Sequence, residues 1–269
     1  MQTRHSDKEL YFREQVFTTR EFVIPFIERK LKINESTRVL EVGCGEGGNL
    51  LSFLERGCHV AGVDLSEGKI ELAGKFLPEY ISTGKAVFMA DDIYNLNPAE
   101  TGKFDIIMLR DVIEHIHDQE KFMNFIRNFL SPDGVIFFGF PPWYNPFGGH
   151  QQICKNRILS KLPYFHLLPK GLYKAVLQAG GEPEERIEAL LEIKQTGISI
   201  ERFEKILKRQ SYTILSRKHF LFNPNYKIKF NIKPREQVGI VRIIPFFRNF
   251  LTTASYYLVK SEKSKPVGY

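Results

Sequence analysis

Cysteine is scarce in this chain. The three residues, Cys44, Cys58 and Cys154, stand at spacings that suggest neither a disulfide framework nor a zinc site. There is no run of 18 apolar residues, so no spanning helix is expected. The opening stretch, Met1 to Leu10, is polar and lacks the apolar segment of a secretory signal. These absences point to a reduced, cytoplasmic compartment. Internal repeats and low-complexity tracts are also missing. The charges are not blocked: 38 Lys and Arg against 31 Asp and Glu leave a net charge of +7, spread along the chain. Such an excess can attract nucleic acid, an anionic membrane or an acidic substrate, and it can equally be a solvated basic surface. What the chain does have is 269 residues, 43% of them hydrophobic, with 23 Phe and 11 Tyr. That is enough for one large domain with an aromatic-rich core.

Apolar residues recur at helical spacing from about Asp7 to Leu31, and Pro25 is expected to break or kink this run, giving two shorter helices. Arg38–Val42 reads as a strand ending in a glycine-rich loop, followed by a helix from Asn49 to Arg56. His59–Leu65 is a second strand, and Ser66 can cap the helix that runs to about Leu77. Ala86–Ala90 and Phe104–Leu109 are further strands. A helix over Asp118–Leu130, a turn at Ser131–Gly134 and a fifth strand, Val135–Phe140, follow. Strands alternating with helices predict βαβ units: a mostly parallel α/β sheet with helices on both faces. The rhythm stops at Pro141–Gly149, where three prolines and two glycines fall within nine residues. The chain therefore divides into N-terminal helices over about 5–33, a core over 37–142, an insertion or lid over 143–198, and a C-terminal helix and strands over 199–261.

The loop VLEVGCGEGG spells G-x-G-x-x-G with Gly43, Gly45 and Gly48. In a dinucleotide enzyme such a loop meets a pyrophosphate. Here Glu41 precedes the first glycine and Glu46 lies inside the loop. At about 5 Å and an effective dielectric near 20, each like-charge contact costs on the order of 3 kcal/mol. A ligand that is cationic where it meets the loop reverses that sign. S-adenosylmethionine (SAM) has no phosphate and carries a sulfonium and an α-ammonium.

Read as acidic-x-G-x-G-x-G, with Glu41, Gly43, Gly45 and Gly47, the loop resembles the first motif of the class I SAM-dependent methyltransferases. The resemblance covers Thr37 to about Phe140. It implies a Rossmann-like fold of seven strands, the last antiparallel and inserted beside the fifth, with Thr252–Lys260 in that role. It also implies a cofactor site made by Glu41, Gly43, Cys44, Gly45, Asp64, Leu65, Asp92, Ile93 and Leu109. Asp64 stands where the family's acidic residue takes the ribose hydroxyls, and a carboxylate with two acceptor oxygens suits a cis-diol. Asp92 aligns with the residue that accepts from the adenine amino group, Ile93 would pack on the ring, and Asp91 is the register alternative. Asp133 replaces a glycine usual in the family's turn before the fifth strand.

Methyl transfer needs alignment of nucleophile, methyl and sulfur, and a base if the acceptor is protonated. Two histidines are the catalytic candidates. His115 follows the fourth strand and can instead brace its loop. His150, in PFGGHQQ, lies after the fifth and can instead fix the lid. Asp111, Glu114 and His115 form D-x-x-E-H, which resembles the E-x-x-E-H of the ubiquinone-pathway O-methyltransferases and the small-RNA 3′-terminal methyltransferases, where it can hold a divalent ion. Asp replaces the first Glu and shortens the reach, so no metal is assigned. Trp143, Tyr144 and Phe147 can wall the acceptor pocket or pack the lid. The insertion helices, Lys170–Ala179 and Glu184–Lys194, have apolar faces that suit a core, a dimer face or an acceptor tunnel. Val238 to Leu258, apolar with scattered Arg, reads as core strand plus edge, with membrane contact as the alternative. The expected function is methyl transfer from SAM to a small-molecule acceptor at oxygen. Nucleic-acid methylation is disfavoured, because RDVIEH stands where an asparagine-proline-proline-type motif would grip a planar amine. A scaffold that binds SAM without turnover is the other alternative.

Overall fold

The structure, a computed structural model, describes residues 7–262. The start expected for the first helix at residue 5, and most of the polar opening stretch, lie outside the described residues. Eight strands form one sheet: β1 Arg38–Val42, β2 His59–Asp64, β3 Ala86–Ala90, β4 Phe104–Arg110, β5 Leu130–Phe140, β6 Tyr212–Phe222, β7 Arg235–Glu236 and β8 Ala254–Ser261. Their order is β3-β2-β1-β4-β5-β8-β6-β7. Strands β1 to β5 pair in parallel, and β8 runs antiparallel between β5 and β6. This is the seven-strand arrangement that the resemblance implies. The two-residue β7 extends it at the edge of β6.

The fully apolar strands are explained by burial on both faces. Along β4, Ile107 and Leu109 enter one core cluster while Ile106 and Met108 enter the other. The first cluster is covered by the helices Gln119–Ile126 and Ile200–Arg209, through Phe122, Met123, Phe203 and Ile206. The second is covered by the N-terminal helix and by Gly48–Leu54, through Phe12, Ile24, Phe26, Leu50 and Phe53.

Four local expectations are corrected. Pro25 does not split the N-terminal run: Lys8–Thr18 passes through a π-helical stretch, Thr19–Val23, into Ile24–Ile27 without a break. The wider turn and Pro25's place at the first turn of the last segment absorb its missing N–H. Ser66 occupies the cap position but makes no side-chain bond; its own N–H donates to Asp64 Oδ1 (3.0 Å). Ser131–Gly134 is an irregularity within β5, because Leu130 pairs with Phe104 and Val135 resumes with Ile106. Finally, Val238–Leu251 is not core. Only Ala254–Ser261 enters the sheet, and most large apolar side chains before it face solvent.

Segment 143–198 has a small core of its own, with Tyr173, Leu177, Ile187 and Leu190 against Cys154, Leu159 and Phe165. Its base is closed by Trp143 N–H donating to the Ile198 carbonyl (2.8 Å).

Candidate cofactor and acceptor site

The glycine loop leaves β1 at the carboxyl end of the parallel strands, where open α/β sheets bind ligands. Gly43, Gly45 and Gly47 all have positive φ, at +70°, +54° and +80°. They serve different ends. A Cβ on Gly43 would come within 2.5 Å of Val112 in the loop after β4, so this glycine lets two loops pack. A Cβ on Gly45 would meet nothing closer than Lys69 Cδ at 3.9 Å, so this glycine faces open space. Gly48 begins the next helix, and a Cβ there would strike the Phe12 carbonyl and Gln15 at 2.7 Å.

Glu41 is fully buried. Its Oε1 accepts from Asn49 Nδ2 (2.6 Å), and its Oε2 has no partner. Burial pushes its carboxyl up to about 8, with the Asn49 bond and the Arg110 charge pulling the other way. A buried carboxylate with an orphan oxygen is matched to a cationic donor such as an α-ammonium. Arg110, at the end of β4, ties this corner together. Its Nη1 donates to Asn49 Oδ1 (2.6 Å), its Nη2 donates to Asn225, and Thr19 Oγ1 donates to the same Asn49 oxygen (2.8 Å).

Glu46 does not face the loop's ligand as an unpaired charge. Lys8 Nζ lies 2.8 Å from its Oε1, so Glu46 is compensated, and the selection for a cation falls to Glu41, which can ionise against an ammonium and offers a pyrophosphate no counter-charge. Asp64 ends β2. Its Oδ2 accepts from Gly45 N–H (2.9 Å) and its Oδ1 from Ser66 N–H, and each oxygen keeps a lone pair for a hydroxyl. Lys69 Nζ sits 3.7 Å away. The neighbouring Leu65 is 77% exposed and free to cover a ligand.

The remaining expected contacts are less direct. Asp92 Oδ1 accepts from Tyr94 N–H (3.0 Å) and caps the turn Ile93–Asn95. Asp91 extends β3 through its N–H to the Asp64 carbonyl (3.1 Å), and its side chain is bonded to Asn95. Ile93 is packed in the core. The side chains of Leu109 and Cys44 are wholly buried, Cys44 against Gly62, so only their backbones remain to meet a ligand.

Beside this loop, a cluster of one buried acid and two more exposed histidines joins the end of β4 to segment 143–198. Glu114, His115 and His150 bring one ligand atom each to within 4.8 Å of one another. The imidazole rings of His115 and His150 lie edge to face with centroids 5.0 Å apart. Asp111, the first residue of the D-x-x-E-H stretch, is outside this trio, and His150 stands in its place. Both Glu114 oxygens are buried without a partner, and burial together with Asp111 raises its carboxyl well above the usual range. Burial lowers His150 to about 4, helped by His115 and His166. His115 keeps part of its surface in solvent, yet the burial of its ring lowers it as well. Asp111 and His150 hold left-handed backbones, at φ +56° and +54°. Non-glycine residues strained in this way gather at functional sites. His166 is structural: it is fully buried, and its Nε2 is 2.9 Å from the Trp143 carbonyl. His117 lies off the cluster, in an exposed pair with Glu192. A charged groove of about 700 Å³ between Gln119–Ile126 and Ile200–Arg209 contains none of the loop or cluster residues Glu41, Asp64, Glu114 or His150.

Sequence reasoning passed over Asn49, Arg110 and Lys8. Their roles come from contacts 8 to 115 residues apart, all but the Asn49–Glu41 bond beyond the reach of a local motif.

The family model described as "Methyltransferase domain" matches residues 12–145. The ubiquinone biosynthesis O-methyltransferase of Actinobacillus pleuropneumoniae is 28% identical over 117 residues, 43% of this chain and 50% of that protein. The enzyme of the same name from Coxiella burnetii is 26% identical over 150 residues, 56% and 60% of the two chains. The chain thus spans about half the length of the first of these relatives. Among solved structures, a plantazolicin methyltransferase in complex with a pentazolic analogue and S-adenosylhomocysteine (SAH) aligns at a TM-score of 0.55. It is 15% identical, over 96% of this chain and 89% of that one. The magnesium protoporphyrin IX methyltransferase of Synechocystis with bound SAH aligns at 0.53 with 14% identity, over 92% and 83%. These two likenesses establish the fold. The matched family model and these relatives show that the chain carries a class I SAM-dependent methyltransferase domain, distantly homologous to the ubiquinone biosynthesis O-methyltransferases.

Proposed function

We propose that the chain transfers a methyl group from SAM to an oxygen of a small-molecule acceptor. The cofactor supplies an electrophilic methyl group on a sulfonium. Glu41 holds the methionine ammonium through its orphan oxygen, the loop at Gly45 admits the ligand backbone-close, and Asp64 takes the ribose hydroxyls. Leu65, Asp92 and Ile93 flank the adenine. His150 and His115 face the acceptor from the loops after β5 and β4. Both are held neutral by burial, so either nitrogen pair can accept the acceptor's proton without first losing its own.

The single observation that carries this reading is the pairing of a buried carboxyl with one orphan oxygen, Glu41 at the end of β1, with the Glu114–His115–His150 cluster one loop away. A second reading is favoured by the two unpartnered Glu114 oxygens. Glu114, His115 and His150 would hold a divalent cation, whose chemistry is to lower the pKa of a bound acceptor hydroxyl.

The test is transfer of labelled methyl from SAM to a panel of phenols, carboxylic acids, amines and thiols, with and without a chelator. Label on oxygen acceptors, reduced by about 10² or more in His150→Ala, is the expected result. Label found only on amines or nucleic acid would overturn it. Chelator sensitivity lost in Glu114→Gln would favour the metal-assisted form.

A further inference from the structure

The long connection between β6 and β8 has inverted polarity. Its polar side chains point inward: Gln237 is 6% exposed, Arg248 9%, and Asn249 and Thr252 are fully buried. Its apolar side chains point outward: Val238, Ile240, Ile243, Ile244, Phe246 and Phe247 are between 45% and 73% exposed. This is not a loose loop. Gln237 Nε2 donates to the Arg248 carbonyl and to Thr252 Oγ1, both at 2.8 Å. Arg248 pairs with Glu201 and Glu204 at 2.8 and 2.9 Å, and Asn249 donates to Glu201 at 2.6 Å. Phe246 is held at φ +61°, with its N–H on Glu201 Oε1. A strained non-glycine residue and a buried charge network thus hold a row of apolar side chains out in water.

The charge around the row has one sign. From residue 223 to 251 the chain carries six Lys and Arg and a single acid, Glu236, which is paired with Lys218. Lys233, Arg235 and Arg242 are exposed beside the apolar side chains. Apolar tips rimmed by unopposed cations suit an interface that is greasy inside and negative at its surface.

We propose that this segment docks on an anionic lipid bilayer, inserting the Ile240–Phe247 tip between headgroups while Lys233, Arg235 and Arg242 meet the lipid phosphates. The direction it faces gives this a consequence. β6 ends, and β8 begins, at the same end of the sheet as the glycine loop, and Asn225 in this connection accepts from Arg110 at the cofactor corner. Tyr164 of the insertion donates to the Phe250 carbonyl (3.1 Å). Docking therefore brings the acceptor side of the protein to the membrane, which suits an amphipathic acceptor resident there. This consequence for the acceptor rests on the methyl-transfer reading. The docking itself does not, and it is measured without cofactor or acceptor.

The experiment is flotation of the full chain with vesicles of phosphatidylcholine alone or mixed with phosphatidylglycerol. The expected result is binding to the mixed vesicles only, weakened at about 1 M salt, where screening shortens to about 3 Å. The double substitution Ile243→Asp and Phe246→Asp should lower the bound fraction about tenfold or more. Asp tolerates a positive φ, so the fold should persist, and unchanged SAH binding checks that it does. Wild-type protein that stays unbound, or a double variant that binds equally well, would overturn the proposal. So would a wild-type dimer that the double substitution makes monomeric, because a second copy would then be covering the tip.

Discussion

Glu41 carries a proton in the ligand-free protein over much of the neutral range, and this makes its role measurable. Its folded pKa of about 8 lies above the ordinary 4.5, so the folded state binds the proton more tightly than the unfolded one. Its contribution to stability is therefore full below about pH 4.5 and is lost as the pH rises through 8. Glu41→Gln should flatten that slope and raise ligand-free stability at pH 8, while weakening SAH about 10- to 100-fold through loss of a charge-assisted hydrogen bond. Thermal melts across pH, with and without SAH, check both effects. The glycines make a second residue-scale test. Gly45→Ala adds only the strain of a positive φ, about 1–2 kcal/mol, yet puts a methyl group where the ligand should lie. Gly43→Ala also collides with Val112 and should cost more stability. SAH affinity should thus fall far more than stability for Gly45→Ala, whereas both should fall together for Gly43→Ala. His150 behaves oppositely to Glu41. Its pKa is depressed to about 4, so its share of stability is present above about pH 6.5 and is lost as pH falls through 4.

The element that completes the loop is the N-terminal helical run, Lys8 to Ile27. It supplies Lys8 to Glu46, Thr19 to Asn49, and its own backbone to the surface of Gly48. Gly48→Ala should push this run away from the loop, costing about 1–3 kcal/mol by overpacking and weakening SAH in parallel; denaturant melts and calorimetry would check this. These contacts also mark what the sequence could not convey. Strands and helices were legible because hydrophobic periodicity is local, and the glycine loop because its spelling is local. Glu46 was misread as an unopposed charge because its partner is 38 residues away. Pro25 was misread as a break because a π-helical turn can absorb a proline. Glu114 and His115 were legible as candidates. The replacement of Asp111 by His150 was not, since it depends on how the insertion folds back.

For the whole molecule, alternation of strands and helices gave a mostly parallel sheet with helices on both faces, and the antiparallel β8 beside β5 followed from resemblance and not from pattern. The apolar stretch from Val238 illustrates the limit of pattern. Composition cannot distinguish a buried strand from an exposed tip, and the chain contains both within 24 residues, Val238 to Ser261. The central claim is that the loop after β1 is built for a cation and not for a pyrophosphate. It is tested most directly by calorimetric titration with SAH at pH 7, in buffers of different ionisation enthalpy, with NAD as the control. The account predicts micromolar binding of SAH with release of close to one proton, as Glu41 ionises against the ammonium, and no binding of NAD. Binding of NAD without SAH, or SAH binding with no proton released, would contradict it.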